Sequence, residues 1–482
     1  MGVLSNCKPE KVFEFFEYLS SVPHGSGNTK AVSDLCVKFA QERGLSYHQD
    51  SINNVVIFKD ASAGYAQAEP VILQGHLDMV CAKTEDCSID MAKEPICLKT
   101  DGEWVWAEKT SLGGDDLVAA AIALAILDDD TLPHPRLEAV FTVDEETGMD
   151  GAIGLDTSLL RGRKLVNIDS EEQGVVTAGC AGGVSVYGAL PAKWEPVGEG
   201  NAVFTADISG LLGGHSGVDI DKGRASSNQL MTRFLYVVMQ ETPLRLCSLD
   251  GGTMDNVIPL HTQATFCVPQ EEAETVRKLA AQYQKDFALE YAAADPGVCL
   301  SLTGAAAESA VCAEDSETML LTLLLAPQGV QEMSMDIPGL VQTSLNQGPL
   351  HLEKDGLHLH FLIRSSFASQ KKMLAERVKA LISRMGGSAE EAGDYPCWTF
   401  RRESALRDLF CEVFREQTGK EAIVSATHGG LECGILCDKI PDLDCISVGP
   451  DLRDIHSVHE RLNVPSTARL YSVICEMLKR SK

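Results

Sequence analysis

The sequence predicts an α/β fold: a mostly parallel sheet-and-helix domain interrupted by an inserted α+β domain. Three observations predict it. Short apolar runs closed by Gly or acidic residues alternate with helical stretches in the first part of the chain. The pattern changes near Gly182 to hairpin-like strands and amphipathic helices, and after Tyr395-Pro396 the first pattern resumes. At 482 residues the chain exceeds what one typical core serves. The boundaries expected are therefore 1–182 and 396–482 for the two parts of one domain, and 183–395 for the insertion.

Residues 8–43 read as two amphipathic helices broken at SVPHGSGN, followed by a short strand within Asn53 to Lys59. Val71 to Leu73 is a brief apolar run reaching Gly75, as a strand buried on both faces would be. Asp115 opens DDLVAAAIALAIL, an alanine-rich buried helix. Leu137 to Val143 and Lys164 to Ile168 are further strands, closed by Asp144-Glu145-Glu146 and by Asp169. In such sheets ligands gather beyond the carboxyl ends of the strands, where these acidic residues fall.

Within the insertion two strand–strand–helix runs stand out. One passes from Asn256 through a strand ending near Val268 to the helix Glu271 to Phe287. The other passes from Asn346 through His358 to Arg364 to the helix Gln370 to Met385. They suggest two related halves. The closing region carries the helix Ala405 to Gln417, the strand Cys445 to Val448 and the helix Thr467 to Lys479.

A formal net charge of -28 argues against nucleic acid or an anionic membrane surface as partner. The N-terminus lacks a basic-then-apolar signal pattern, Asn6 stands where a myristoylation signal needs Ser or Thr, and no apolar run is long enough to span a bilayer. The 16 cysteines form no C-x-x-C pair, and Cys433 and Cys437 read as core packing rather than metal ligands. A cytoplasmic location with reduced thiols follows as the simplest expectation.

The chemistry-bearing residues cluster at strand ends. His76 and Asp78 form an H-x-D pair: a metal-binding histidine whose other ring nitrogen the aspartate holds, or a turn aspartate beside a satisfied histidine. Asp115 is a bridging carboxylate at a helix start, or an N-cap. Glu145 and Glu146 divide into one general base and one ligand, or form a solvated acidic loop. Asp169 and His456 complete the set, with a solvated run and a surface histidine as the bland alternatives and His459 as the competing ligand. Together they supply ligands for two divalent cations and one spare glutamate, the equipment of a metal-assisted amide hydrolase.

The order strand-H-x-D, helix-D, strand-E-E, strand-D, distant H resembles the dinuclear zinc aminoacylase/carboxypeptidase superfamily of metallopeptidases. Within it the chain is most similar to aminoacyl-histidine (Xaa-His) dipeptidases. The resemblance runs nearly end to end, through VILQGHLDMV, DGEWVWA, LGGDD, EETGMDGA, DSEEQG, CAGG, GGHSG, GGTMDNVIP, LIRS, HGGLECG and HSVHE. It implies a zinc-peptidase catalytic domain with the insertion as a lid. It also implies one zinc on His76, Asp115 and Asp169 and another on Asp115, Glu146 and His456, with Asp115 bridging. Glu145 would be the general base acting on a metal-bound water, Asp78 the histidine orienter and His215 the oxyanion stabiliser. Asn256, Arg364, His428 and Gly429 would hold the substrate. Without the resemblance these lid residues read as turn, ion-pair and loop positions.

The chain departs from the family pattern at Asp116 and Leu117, where Asn-Gly is usual, and at Val458-His459, where Pro-Asp is usual. The resemblance implies a dipeptidase acting on Xaa-His-type and related small peptides. A broader dipeptidase and an N-acyl amino acid deacylase share the scaffold. A silent metal-binding protein would have lost a base or a ligand, and none is missing. Zn²⁺ is the expected ion, with Mn²⁺ and Co²⁺ compatible with the same ligands. A homodimer is compatible with the pattern.

Overall fold

In the computed structural model, which describes residues 2–482, the chain divides into two compact units. Of the described residues, one comprises 2–180, 398–426 and 431–482; the other comprises 181–397 and 427–430.

The first unit is built on an eight-stranded sheet. Its centre is parallel: Leu137–Thr142 pairs Val71–His76, which pairs Lys164–Asn167, which pairs Asp444–Ser447. Antiparallel strands flank this centre, with Val55–Lys59 beside Leu137–Thr142 and Ser46–Gln49 beyond it. All six residues of Val71–His76 and of Leu137–Thr142 are buried, as expected for strands covered on both faces. The core joins the helices Glu10–Leu19, Lys30–Glu42, Ala405–Thr418 and Val464–Arg480 to this sheet.

The alanine-rich segment Gly114–Asp128 is buried from Leu117 to Leu127. A helix apolar all round must lie inside, and small alanines let it approach the sheet closely. Its start differs from the expectation. Asp115 (φ −82°, ψ 102°) and Asp116 (φ −127°, ψ 28°) are non-helical, so regular turns begin only after them. The ladder of this helix is thus anchored by apolar packing, and the two aspartates are left free to present their side chains elsewhere.

The second unit is a nine-stranded sheet whose pairings are antiparallel, with Val341–Leu352 and Gly356–Ser365 near its middle. Alternate residues Leu359, Phe361 and Ile363 enter the core with the helices Ser227–Glu241, Ala273–Glu290, Ala313–Leu325 and Ala368–Arg384. Arg364, next after Ile363, therefore takes the opposite face. Two runs share the order strand, strand, helix: Arg245–Gly251, Thr262–Pro269, Ala273–Glu290 and Val341–Leu352, Gly356–Ser365, Ala368–Arg384. Among the described residues no helix is long and apolar enough to cross a membrane.

Candidate metal centre

The parallel strands of the first unit end together, and the acidic residues that follow them converge. His76 closes Val71–His76 and is 1% exposed. Its Nε2 lies 3.1 Å from Asp115 Oδ1 and 3.6 Å from Asp169 Oδ1. Asp115 Oδ2 lies 3.2 Å from His456 Nε2, which lies 2.9 Å from Glu146 Oε1. The two oxygens of one carboxylate thus face two different histidines.

Asp78 sits differently from the simple H-x-D expectation. The strand ends at His76, so Asp78 has left the pleat. The nearer partner of His76 Nδ1 is the Asp78 main-chain oxygen at 3.0 Å, with the carboxylate at 3.5 Å. The Asp78 carboxylate instead accepts from the N–H groups of Glu145 (3.0 Å) and Glu146 (3.3 Å) and from the Ser26 hydroxyl (2.8 Å). Glu145 and Glu146 open the short helical turn Glu145–Gly148 rather than an extended run. Asp78 therefore caps the turn that carries both glutamates.

The charge balance asks for cations. Asp115, Asp116, Glu145, Glu146 and Asp169 gather around two histidines, and among the described residues no Lys or Arg forms an ion pair with any of them. Candidate ligand atoms within 4.8 Å of one another fall into two groups sharing His76, one with Asp116 and Asp169 and one with Asp115 and Glu146. Glu146 Oε1 is buried, and the group that faces it is the His456 ring, with Nε2 at 2.9 Å. Buried anions without partners are costly, and a divalent ion relieves them. Carboxylate and imidazole donors at this spacing fit such ions.

The same crowding shifts protonation. Burial raises the Glu145 carboxyl well above the ordinary range, and Asp169, Glu432 and Glu146 add to the shift. Burial also raises Asp169, to about 6. Asp115 goes the other way: burial opposes its charge, but bonds with His456 and His76 outweigh it and hold it well below the usual carboxylate range. Asp115 and Glu146 raise His456 to about 10.

In the second unit His215 follows Gly213 (φ 63°) and Gly214 (φ 147°), backbone angles that favour glycine. His215 Nδ1 accepts from the N–H groups of Gly217 (3.2 Å) and Val218 (3.3 Å). Burial and the nearby Arg364 charge lower its pKa. A neutral ring whose Nδ1 accepts must carry its proton on Nε2, so Nε2 is a donor. His428 Nε2 meets Ser344 Oγ at 2.7 Å, and burial followed by Arg364 pushes this histidine down to about 3.

Arg364 is 7% exposed and donates to the Tyr395 hydroxyl at 2.8 Å. It pairs with no carboxylate among the described residues, so it is not a surface ion pair. Asn256 Oδ1 is buried without a partner, while its main-chain oxygen accepts from Ser216 N at 2.8 Å. Gly429 O accepts from Ala181 N at 3.1 Å. His215, Asn256, Arg364 and His428 thus belong to one unit, and His76, Asp78, Asp115, Glu145, Glu146, Asp169 and His456 to the other. Among the described residues, neither His456 nor His459 belongs to the groups of candidate ligand atoms around His76, but His456 lies against Asp115 and Glu146, whereas His459 forms no ion pair with them.

Residues 72–480 match the model for peptidase family M20/M25/M40. The chain belongs to this family. As an M20 peptidase it is a peptide hydrolase. It is 35% identical over 480 residues to the cytosol non-specific dipeptidase of Escherichia coli (strain K12), covering 99% of each chain. The crystal structure of aminoacylhistidine dipeptidase from Vibrio alginolyticus superposes with a TM-score of 0.93 at 31% identity, covering 99% of this chain and 98% of that one. A Staphylococcus aureus tripeptidase shares the fold at a TM-score of 0.55 and 15% identity, covering 100% and 99% of the two chains.

Four further functional candidates of this M20 peptidase are given no role by the sequence reading. Asp116, seen in the sequence only as a departure, is 1% exposed and accepts from His76 N at 3.2 Å. Glu432, inside HGGLECG, is fully buried behind the strand ends, where Gln74 (2.6 Å) and Thr142 (2.7 Å) donate to it. Asn346 donates to the carbonyls of Asp255 (2.7 Å) and Val257 (2.9 Å), on either side of Asn256. Glu460, the last residue of HSVHE, reaches the turn before Asp115. For Asn346 and Glu460 a signal existed, one in the strand–strand–helix run and one in the motif itself. Glu432 likewise lies inside a motif, HGGLECG, but nothing local marks it as a residue that reaches the strand ends.

Proposed function

We propose that this M20 peptidase is a dinuclear metal-dependent dipeptidase. His76, Asp115 and Asp169 would hold one ion and Asp115, Glu146 and His456 the other. The observation that carries this reading is Asp115, whose Oδ1 lies 3.1 Å from His76 and Oδ2 3.2 Å from His456. Zn²⁺ suits the donor set, and Mn²⁺ and Co²⁺ use the same donors. Bound there, such a pair supplies Lewis-acid activation of a water and of a carbonyl oxygen.

The chain's own residues then do the following. Glu145, whose carboxyl burial raises above the ordinary range, takes a proton from the attacking water. As the peptide C–N bond breaks it returns that proton to the leaving amine. Asp78 fixes the turn bearing Glu145 and Glu146, and its main-chain oxygen fixes the His76 ring. By the resemblance, His215 Nε2–H would donate to the developing oxyanion. Arg364, buried without a carboxylate partner, takes the substrate carboxylate together with Asn256, and His428 and Gly429 line the same end.

Dipeptides of Xaa-His type fit the resemblance to the Vibrio enzyme, and the name of the Escherichia coli relative favours a broader dipeptide range. The deciding experiment is a substrate panel on protein of measured metal content, with Xaa-His against other dipeptides and N-acyl amino acids. Hydrolysis of dipeptides that stops on chelation and returns with metal is expected. Cleavage of N-acyl amino acids alone would replace this reading with a deacylase, and metal-independent cleavage would remove the dinuclear centre. A cytoplasmic location and a homodimer are compatible with this reading.

A further inference from the structure

The loop that carries His456 and the turn that carries Asp115 are far apart in sequence, yet one side chain joins them. Glu460 is 3% exposed. Its Oε2 accepts from the N–H groups of Leu112 (2.7 Å) and Gly113 (3.0 Å), and its Oε1 from Gly114 (2.8 Å) and Asp115 (3.2 Å). Four consecutive main-chain donors therefore converge on one carboxylate, an anion nest built from the chain's own turn. Gly113 makes the turn at φ 66°, and a side chain on Gly114 would meet Glu460 Oε1 at 3.2 Å and Leu452 at 2.9 Å.

The other end is equally constrained. Leu452–Arg453 pairs Arg461–Asn463, so the segment between them is a hairpin loop with His456 inside it and Glu460 at its return. His456 (φ 59°) and Asp454 (φ 51°) sit in the left-handed region, a conformation that non-glycine residues hold only when their surroundings impose it. Burial raises the Glu460 carboxyl above the ordinary glutamate range, and the N–H groups of Leu112, Gly113 and Asp115 oppose that shift.

We infer that Glu460 is a positioning residue for the metal centre: by binding the turn of Leu112 to Asp115 it sets Asp115 against His456. It touches no reacting atom and no proposed ligand side chain. The inference rests on the assignment of both residues as ligands under the proposed function. It predicts an asymmetric defect. Both ions use Asp115, but the one between Asp115 and His456 has both of those partners on the clasped segments, whereas His76 closes one strand and Asp169 follows another by two residues, strands that the sheet itself fixes in register.

The test compares wild type with Glu460→Gln, a substitution of equal size that places an amide N–H₂ against main-chain N–H groups. Each protein is stripped with a chelator, then titrated with Zn²⁺ and separately with Mn²⁺. Stoichiometry is read by metal analysis after dialysis and affinity by calorimetry. Wild type should hold two ions. Glu460→Gln should hold one tightly and the second at least about tenfold more weakly, and its dipeptidase kcat should recover in excess metal. A generic loss of stability would not give a metal-rescuable, one-site defect. Glu460→Asp, which keeps the charge on a shorter arm, should show a milder form of the same split and serves if Glu460→Gln does not fold. Two ions at wild-type affinity in a folded variant, or equal weakening of both, would overturn the inference. Wild-type protein that binds no ions would instead overturn the metal reading itself.

Discussion

At the scale of single residues, the centre works by opposed environments. Asp115 is kept ionised by two histidines, while Glu145, a neighbour in the same cluster, is pushed toward its protonated form by burial and nearby acids. Two carboxylates of different basicity in one cleft can divide ligand and base roles. Glu145→Gln should therefore retain its metal ions yet lose turnover, by about 10²–10⁴-fold for a lost general base. Metal analysis with steady-state kinetics checks this, and a near-normal kcat would remove Glu145 from the mechanism. His215 is a neutral donor through Nε2 because Gly217 and Val218 occupy Nδ1. His215→Ala should lower kcat and kcat/KM by similar factors, on the order of 10²–10³, with metal content unchanged. A defect confined to KM would make it a ground-state binding residue instead.

At the scale of elements, the strand Val71–His76 and the segment Gly114–Asp128 form the seam on which the site is mounted. Gly75 is the contact point: a Cβ there would lie 2.3 Å from Ala119 Cβ and 2.6 Å from Asp116 Oδ2. Glycine in GHLD is thus explained by packing, since the preceding apolar residues could continue the strand without it. Gly75→Ala should destabilise the protein by about 1–3 kcal/mol through overpacking and should weaken metal binding by displacing Asp116 and its neighbours. Thermal melts and metal titration together test this; a variant unchanged in both would mean that the helix start yields freely. In the second unit one amide does comparable work. Asn346→Ala leaves the Asp255 and Val257 carbonyls without their donor, a loss of about 1–3 kcal/mol. It should reduce kcat/KM while sparing metal content, and loss of metal would contradict its confinement to the second unit.

At the scale of the whole molecule, the first unit gathers acidic residues at a focus, and that focus is unstable without counter-charge. Removing the ions should lower the melting temperature, because ligands that bind only the folded state stabilise it by roughly 3–4 kcal/mol at 100 to 1,000 times their Kd. Calorimetry before and after chelation, with metal restored in a third scan, reads this directly. Identical melts in all three would show that the acidic cluster is tolerated without metal. The net charge of -28 makes strong salt dependence of the chelated form a natural companion observation.

The sequence by itself determined the strands and helices with strong periodicity, and the donors that chemistry demands. Val71–His76, Leu137–Thr142 and Lys164–Asn167 are short, largely apolar runs followed by acidic or imidazole residues, the pattern of buried parallel strands. The sequence also placed His76, Asp115, Glu145, Glu146, Asp169 and His456 at the ends of elements, and the fold brings their side chains together. What the sequence left open is whatever depends on main-chain direction at the ends of elements. The helix expected to begin at Asp115 begins later, and Asp78 binds a helical turn more than it binds His76, because termini answer to nearby donors and acceptors rather than to periodicity. Glu460 and Asn346 are ordinary polar residues until the folded chain brings carbonyls and N–H groups from distant segments to them. Only tertiary structure could decide their partners, since a hydrogen bond between residues 89 to 348 positions apart leaves no local pattern.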